Sequence, residues 1–142
     1  MKIKKLESFK SSDVNLTPFD LSELPFTPQR LLVIKNSNKG IGYEESAHLE
    51  NRQYLICLKG IIKIITHDGK KYDKSILTEG YSTLIEPYHW NYHESMTGDD
   101  VLLIACSNPF DREDYISDFS EFVYKMKELN REKKKVPNDK HR

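Results

Sequence analysis

Three of the five histidines, His48, His89 and His93, sit among turn residues at opposite ends of a stretch of short apolar segments. Imidazole gains and loses a proton near neutral pH and also ligates divalent metals, so a fold that gathers these rings could carry proton transfer or hold an ion. His48 ends the run Gly42-Tyr43-Glu44-Glu45-Ser46-Ala47-His48 and is followed by Gln53 and Gly60. His89 and His93 follow Gly80 and Pro87 and alternate with Tyr88, Trp90 and Tyr92, an aromatic cluster suited either to stacking on a ring or to packing. Arg30 presents a planar fork of donors that fits a diphosphate or a carboxylate. His67 lies beside Asp68-Gly69 and reads as an exposed turn residue, and His141 lies in a basic tail. Cys57 and Cys106 sit inside the apolar runs YLICL and VLLIACS, where cysteine behaves as a small hydrophobe rather than as a nucleophile.

The elements that must position these residues are mostly strands. Apolar runs at Arg30 to Lys35, Gln53 to Lys59, Gly60 to Thr66, Lys71 to Leu77, Tyr81 to Ile85 and Val101 to Cys106 are short, rich in branched residues and bounded by turn formers. His67-Asp68-Gly69-Lys70 joins two of them, and Asp-Gly between such runs predicts a hairpin because glycine tolerates positive φ. The runs at 53 to 59 and 101 to 106 are apolar almost throughout, as strands covered on both faces are. Two stacked antiparallel sheets or a rolled barrel follow, and rolling would bring the histidines into one mouth. The segment from Asn15 to Gln29, with its three prolines, is expected to run extended along a sheet edge.

Beyond Pro109 the period changes. Ile116, Phe119, Phe122, Val123, Met126 and Leu129 recur every three or four residues, the stripe of an amphipathic helix over about 111 to 130. Acidic residues Asp111, Glu113, Asp114, Asp118 and Glu121 precede basic Lys125, Lys127 and Arg131, in agreement with the helix dipole. Residues 131 to 142 have almost nothing to bury and read as a solvated, disordered basic tail behind a single domain of residues 1 to 130.

Composition narrows the function classes. The 142 residues balance 22 Lys and Arg against 22 Asp and Glu, which removes the large positive field of a non-specific nucleic-acid binder. No apolar run approaches the roughly 20 residues that span a bilayer, and the first residues carry no apolar leader, so a soluble cytoplasmic protein is expected.

The spacing of Gly42, Ser46, His48, Gln53 and Gly60, and then of Gly80, Pro87 and His93, resembles the two cupin motifs. In metal-binding cupins a His-x-His pair, a glutamate and a later histidine hold one divalent ion; the matching positions here read Ser46, His48, Gln53 and His93. Two strong ligands are too few for an ordinary centre, so neither a metal nor any other cofactor is expected, with His89 as the third ligand of a metal-dependent alternative. A longer match covers about residues 13 to 123: Asn15-Leu16-Thr17, Pro25-Phe26, Arg30, Ala47-His48, Gln53-Tyr54-Leu55-Ile56, Gly60, Asp68-Gly69-Lys70, Ile85, Pro87, Trp90, Asp114-Tyr115-Ile116 and Glu121-Phe122. In these residues the chain resembles the sugar 3,4-ketoisomerases that act on dTDP-4-keto-6-deoxyglucose, the WxcM-like C-terminal domains. Asp-Tyr-Ile with its later Glu-Phe is the most specific element, since generic cupins lack it.

That resemblance implies an all-β fold, a cupin double-stranded β-helix or jelly-roll-like barrel with one C-terminal amphipathic helix, in a homodimer. It implies a dTDP-linked 4-keto-6-deoxysugar as substrate and an isomerase that moves the ketone from C4 to C3 through an enediol, within deoxysugar and polysaccharide biosynthesis. His48 takes the family's base position, with Lys35 or Tyr43 assisting. Arg30 would meet the diphosphate, Ser46, Gln53, Tyr92 and His93 would line the pocket, and Trp90 would pack against the ligand. Three positions depart from the family: Ser46 stands where it has a histidine, Lys35 where it has a tyrosine, and Tyr43 where it has an arginine. These changes motivate the alternative of a catalytically impaired sugar-nucleotide-binding cupin, or a non-catalytic partner of a related isomerase.

Overall fold

The computed structural model describes residues 1–36, 40 and 45–135. Three short strands lead the chain: β1 (Ile3–Lys5), β2 (Phe9–Ser11) and β3 (Val14–Leu16). The longer strands β4 (Arg30–Asn36), β6 (Gln53–Lys59), β7 (Ile61–His67), β8 (Tyr72–Thr78) and β9 (Tyr81–Ile85) follow the apolar runs closely, with the two-residue β5 (Ala47–His48) between the first two. Then come β10 (Trp90–Ser95), β11 (Asp100–Cys106), β12 (Tyr115–Ile116) and the helix α1 (Phe119–Lys135). Strands β1, β2, β3, β5, β10 and β12 go beyond the sequence expectation. The proline-bearing segment contains a 3₁₀ turn at Leu21–Glu23.

One sheet has the order β1-β9-β6-β11-β4 and another β10-β7-β8. Ser46 and Asn91 exchange backbone hydrogen bonds, Asn91 N–H to Ser46 O at 2.9 Å and Ser46 N–H to Asn91 O at 3.3 Å. This bridge continues the second sheet through the β5–β12 ribbon. Leu55 and Cys57 of β6, Ile62 and Ile64 of β7, Leu77 of β8, Ile85 of β9 and Leu102, Ile104 and Cys106 of β11 form a single buried cluster, so the two sheets face each other across one core. Burying each such aliphatic side chain contributes about 1.5–3 kcal/mol. Both thiols are buried and free, and burial pushes Cys57 up to about 11, which fits the packing role expected of it.

Alternation along the strands decides which side chains reach the inner space. Leu32 and Ile34 of β4 pack against the core, whereas Leu31, Val33 and Lys35 are exposed on the other face. The helix covers the outer face of the second sheet, where Ala47, Trp90, Ile116 and Phe122 form a second buried cluster joined by Phe119, Val123 and Met126. The Asp-Gly hairpin is present between β7 and β8. Gly69 adopts φ +96°, and an added Cβ there would lie 2.7 Å from the Met126 Cβ, so this glycine serves both the turn and the approach of the helix. His67 departs from its expected exposure: it is buried, with its ring edge-on to Phe119 at 5.1 Å and to Tyr72 at 4.5 Å.

The helix also begins later than its stripe suggests. Residues Arg112–Asp114 form a 3₁₀ turn whose N-terminus is capped by the Asp111 carboxylate accepting from Glu113 N–H, and Tyr115–Ile116 pair with β5 as β12. Asp118 Oδ1 accepts from Glu121 N–H at 2.9 Å and opens α1, so the acidic run supplies two caps rather than one helical turn. At its other end α1 continues through Arg131–Lys135, residues assigned from the sequence to the tail. Among the described residues no helix is long and apolar enough to cross a membrane.

Candidate active site

The inner face narrows to a polar mouth at the end of the barrel near β5. A cavity of about 610 Å³ opens there between Arg30 and Leu32 of β4, Gln53 of β6, Ile104 of β11, Asn91 and His93 of β10, and Ser46 and His48. Its outer wall comes from the C-terminal segment: Phe110, Arg112, Tyr115, Ser117, Asp118 and Glu121. The volume lies within the range of small-molecule sites, roughly 300–1,000 Å³.

His48 is buried on the short ribbon that pairs it with Tyr115. Its Nδ1 lies 3.1 Å from Asp114 Oδ2. The same carboxylate accepts from Glu50 N–H at 2.8 Å and from Asn51 N–H at 3.1 Å. The Tyr115 ring centroid is 4.3 Å from that of His48. Burial lowers the His48 pKa, the hydrogen bond and charge of Asp114 work to raise it, and the Arg30 cation lowers it again; the net shift is downward. His48 is therefore neutral near neutral pH.

His93 stands on β10 opposite Ile64, on the same face as Asn91 and Ser95. Burial holds its pKa down to about 4, so it too is uncharged at neutral pH. Arg30 lies with its guanidinium carbon 5.0 Å from the Phe110 ring centroid, at the mouth.

Several residues expected at the site lie elsewhere. Trp90 and Tyr92 occupy the opposite face of β10 from His93, because side chains alternate along a strand. Trp90 is buried under the helix, 5.3 Å from Phe119 and 5.8 Å from Phe122 between ring centroids, and donates from Nε1 to Glu45 Oε2 at 3.0 Å. It is a packing residue, not a ligand platform. Lys35 projects from the exposed face of β4, away from the cavity that Arg30 and Leu32 line. Tyr43 lies outside the described residues. His89 lines a different cavity, near Asp68 and Glu86, and its Nδ1 lies 3.1 Å from the carbonyl of Pro87. Among the described residues no three His, Cys, Asp or Glu side chains converge as a metal set would. Gathered in the cavity are Arg30, Ser46, His48, Gln53 and His93.

Asp114, Tyr115, Arg112 and Asn91 were not among the residues expected at the site. The first two belong to the Asp-Tyr-Ile element that marked the resemblance, and their pairing with β5 is what turns that signature into a wall of the cavity.

A family model described as FdtA, WxcM-like C-terminal, matches residues 1–127. The chain belongs to this family. It is 25% identical over 111 residues to the TDP-4-oxo-6-deoxy-alpha-D-glucose-3,4-oxoisomerase of Aneurinibacillus thermoaerophilus, covering 78% of this chain and 80% of that protein. Among solved structures it superposes on QdtA, a sugar 3,4-ketoisomerase from Thermoanaerobacterium thermosaccharolyticum in complex with TDP. That match has a TM-score of 0.83 and 25% identity, and covers 90% of this chain and 95% of that one. The WlaRB TDP-quinovose 3,4-ketoisomerase of Campylobacter jejuni gives a TM-score of 0.78 at 26% identity, over 87% of this chain and 96% of that one. The WxcM-like chain accordingly has the cupin-type all-β fold with one C-terminal helix.

Proposed function

We propose that the chain is a cytoplasmic TDP-sugar 3,4-ketoisomerase in which His48 carries the proton between C3 and C4. The observation that supports this reading is a buried, neutral imidazole at the cavity wall with its Nδ1 held by a carboxylate. A proton beside a ketone is acidic enough for such a base. His48 Nε2 takes the proton from C3 to give an enediolate charged at O4; the O3 proton passes to O4, and His48 then returns its proton to C4, leaving the ketone at C3. Substrate and product are isomers, so the balance needs no oxidant. Ser46 and Gln53 line the same cavity and offer donors to the two oxygens, which bear charge as the enediol forms. Arg30 and Arg112 at the mouth fit the diphosphate by charge and fork geometry. The 3-keto product suits a carbonyl-consuming step such as transamination.

A homodimer accompanies this reading. Phe9, Val14 and Leu16 on the β2–β3 hairpin and Leu31 and Val33 on the edge strand β4 leave large apolar side chains exposed on two surfaces that a second copy would cover.

The test is proton exchange in deuterated water with TDP-4-keto-6-deoxyglucose, followed by NMR. Loss of the C3 proton signal together with a 3-keto sugar is expected. A second reading has its own observation: Ser46 occupies the place of a family histidine, and Lys35, at the place of a family tyrosine, faces away from the cavity. Under that reading, a sugar-nucleotide-binding cupin without turnover, the nucleotide binds and nothing exchanges.

A further inference from the structure

We propose that Asp114 is the positioning residue of the base, holding His48 as the Nδ1–H tautomer so that Nε2 presents its lone pair to the cavity. This rests on the isomerase reading for its catalytic consequence and on geometry alone for the tautomer.

Glu50 N–H and Asn51 N–H point at Oδ1 and Oδ2 at 2.8 and 3.1 Å, and a backbone N–H can only donate. With a backbone N–H aimed at each of its oxygens, the Asp114 side chain is set as an acceptor, and the hydrogen bond between Oδ2 and His48 Nδ1 is completed by a donor on the imidazole. A neutral imidazole with its proton on Nδ1 has an acceptor at Nε2, which is what abstraction from a sugar carbon requires. The carboxylate is itself fixed by the backbone: Leu49 N–H donates to the Asp114 carbonyl at 2.9 Å, and the next residue, Tyr115, pairs with His48. The base thus sits on β5, and the carboxylate on the last residue of the 3₁₀ turn that leads directly into β12, the strand paired with it.

The charged and titratable groups around His48 and along the cavity it lines come from every element packed there: Asp114 and Arg112 from the 3₁₀ turn, Tyr115 from β12, Arg30 from β4, His93 from β10, Asp118 from the residue before α1 and Glu121 from its first turn. Among these, Asp114 is the one hydrogen-bonded to the ring.

The test joins a spectroscopic and a kinetic measurement. In nitrogen-15-labelled wild-type protein without substrate, two-bond correlations are expected to show His48 protonated at Nδ1 and bare at Nε2; a proton on Nε2 would overturn the proposal whatever the activity. Asp114→Asn replaces one acceptor oxygen by an NH₂ facing a donor, and is expected to move the proton to Nε2 or mix the tautomers. C3-proton exchange should then fall about 10²–10⁴-fold, with TDP affinity changed by less than about twofold. The acidic limb of the remaining pH profile should move to lower pH, because the group that raises the imidazole pKa is gone. A wild-type rate and pH profile in Asp114→Asn would overturn the role, as would a loss explained wholly by lost TDP binding. Should Asp114→Asn not fold, the wild-type tautomer still decides. Wild-type protein that binds TDP-4-keto-6-deoxyglucose without exchanging it overturns the isomerase reading and leaves the tautomer result to stand or fall by itself.

Discussion

Asp100 and Asp114 are two carboxylates that accept backbone hydrogen bonds at opposite ends of the same barrel, and they differ in the partner each has beyond the backbone. Asp100 is 2% exposed and accepts from Ile61 N–H at 2.8 Å, from the Thr97 hydroxyl at 2.5 Å and from the Ser95 hydroxyl. Burial works to raise its pKa, and these hydrogen bonds more than offset it, leaving the carboxyl below the ordinary range. Gly60, at φ +85°, packs so closely on Asp100 that any Cβ would overlap its carboxylate. Every partner there is a fixed donor, and the result is a locked corner. Asp114 accepts from two fixed backbone donors and spends its remaining interaction on an imidazole that faces a cavity. The same device therefore closes a turn when all its donors are inert and tunes a reactive group when one of them titrates.

The contrast is broken most forcefully at the ring. His48→Asn should reduce C3-proton exchange by about 10³-fold while TDP binding and thermal unfolding stay near wild type, since general base catalysis contributes roughly 10²–10⁴-fold. Exchange at the wild-type rate would remove His48 from the chemistry.

The next effect concerns His93, a cavity histidine on β10. Its pKa is about 4 when folded against 6.5 for the free side chain, so the folded state binds fewer protons between those values. The stability this supplies is complete above the unfolded value and is lost as pH falls toward the folded one, about 3 kcal/mol across that interval. Urea unfolding of wild type and His93→Gln over that range checks it, the variant showing the shallower loss.

At the locked corner, Asp100→Asn should cost about 2 kcal/mol in urea unfolding, because an amide cannot accept from every donor the carboxylate serves. Its contribution is lost in the same direction as that of His93 but in a lower pH window: a carboxyl with a depressed folded pKa stabilises above its unfolded value, near 3.9, and loses that contribution only as pH falls further. Activity per folded molecule should be unchanged, the reverse of the pattern expected for Asp114→Asn. The smallest effect is expected at Lys35→Ala, where a side chain on the exposed face of β4 should leave both exchange rate and stability within about twofold and 0.5 kcal/mol of wild type.

The sequence made the fold legible where strands are apolar. Runs such as Gln53–Lys59 and Asp100–Cys106 form the shared core and announced themselves by composition. Strand β10 was hidden because its inward positions, Asn91, His93 and Ser95, are polar: a strand that lines a site gives up the pattern by which strands are recognised. The aromatic cluster and the resemblance point to Trp90 and Tyr92 as pocket residues, but neither carries the parity of β10, which sets both on the face opposite His93. The match to a family tyrosine points to Lys35, and alternation along β4 puts its side chain on the exposed face. Motif spacing points to the cavity histidines and Gln53, and the longer resemblance to Arg30, whereas Asp114 and Tyr115 stand only as a signature, because ribbon β5–β12 has two residues per strand and no periodicity to read. The acidic run from Asp111 to Glu121 satisfied the rule for a helix start, but two of its members cap separate turns.

The link between His48 and Asp114 spans 66 positions of sequence, which puts an order in time on the assembly of the site. A chain made from its N-terminus presents the imidazole long before the carboxylate exists, and the sheets can pair through β11 while the ring still exchanges its proton freely between two nitrogens. Chemical competence is then the last property acquired, arriving when residues 111–116 fold back. The same two-residue ribbon, with few backbone bonds to break, is where the folded protein would lose that competence first on local unfolding, with its core intact.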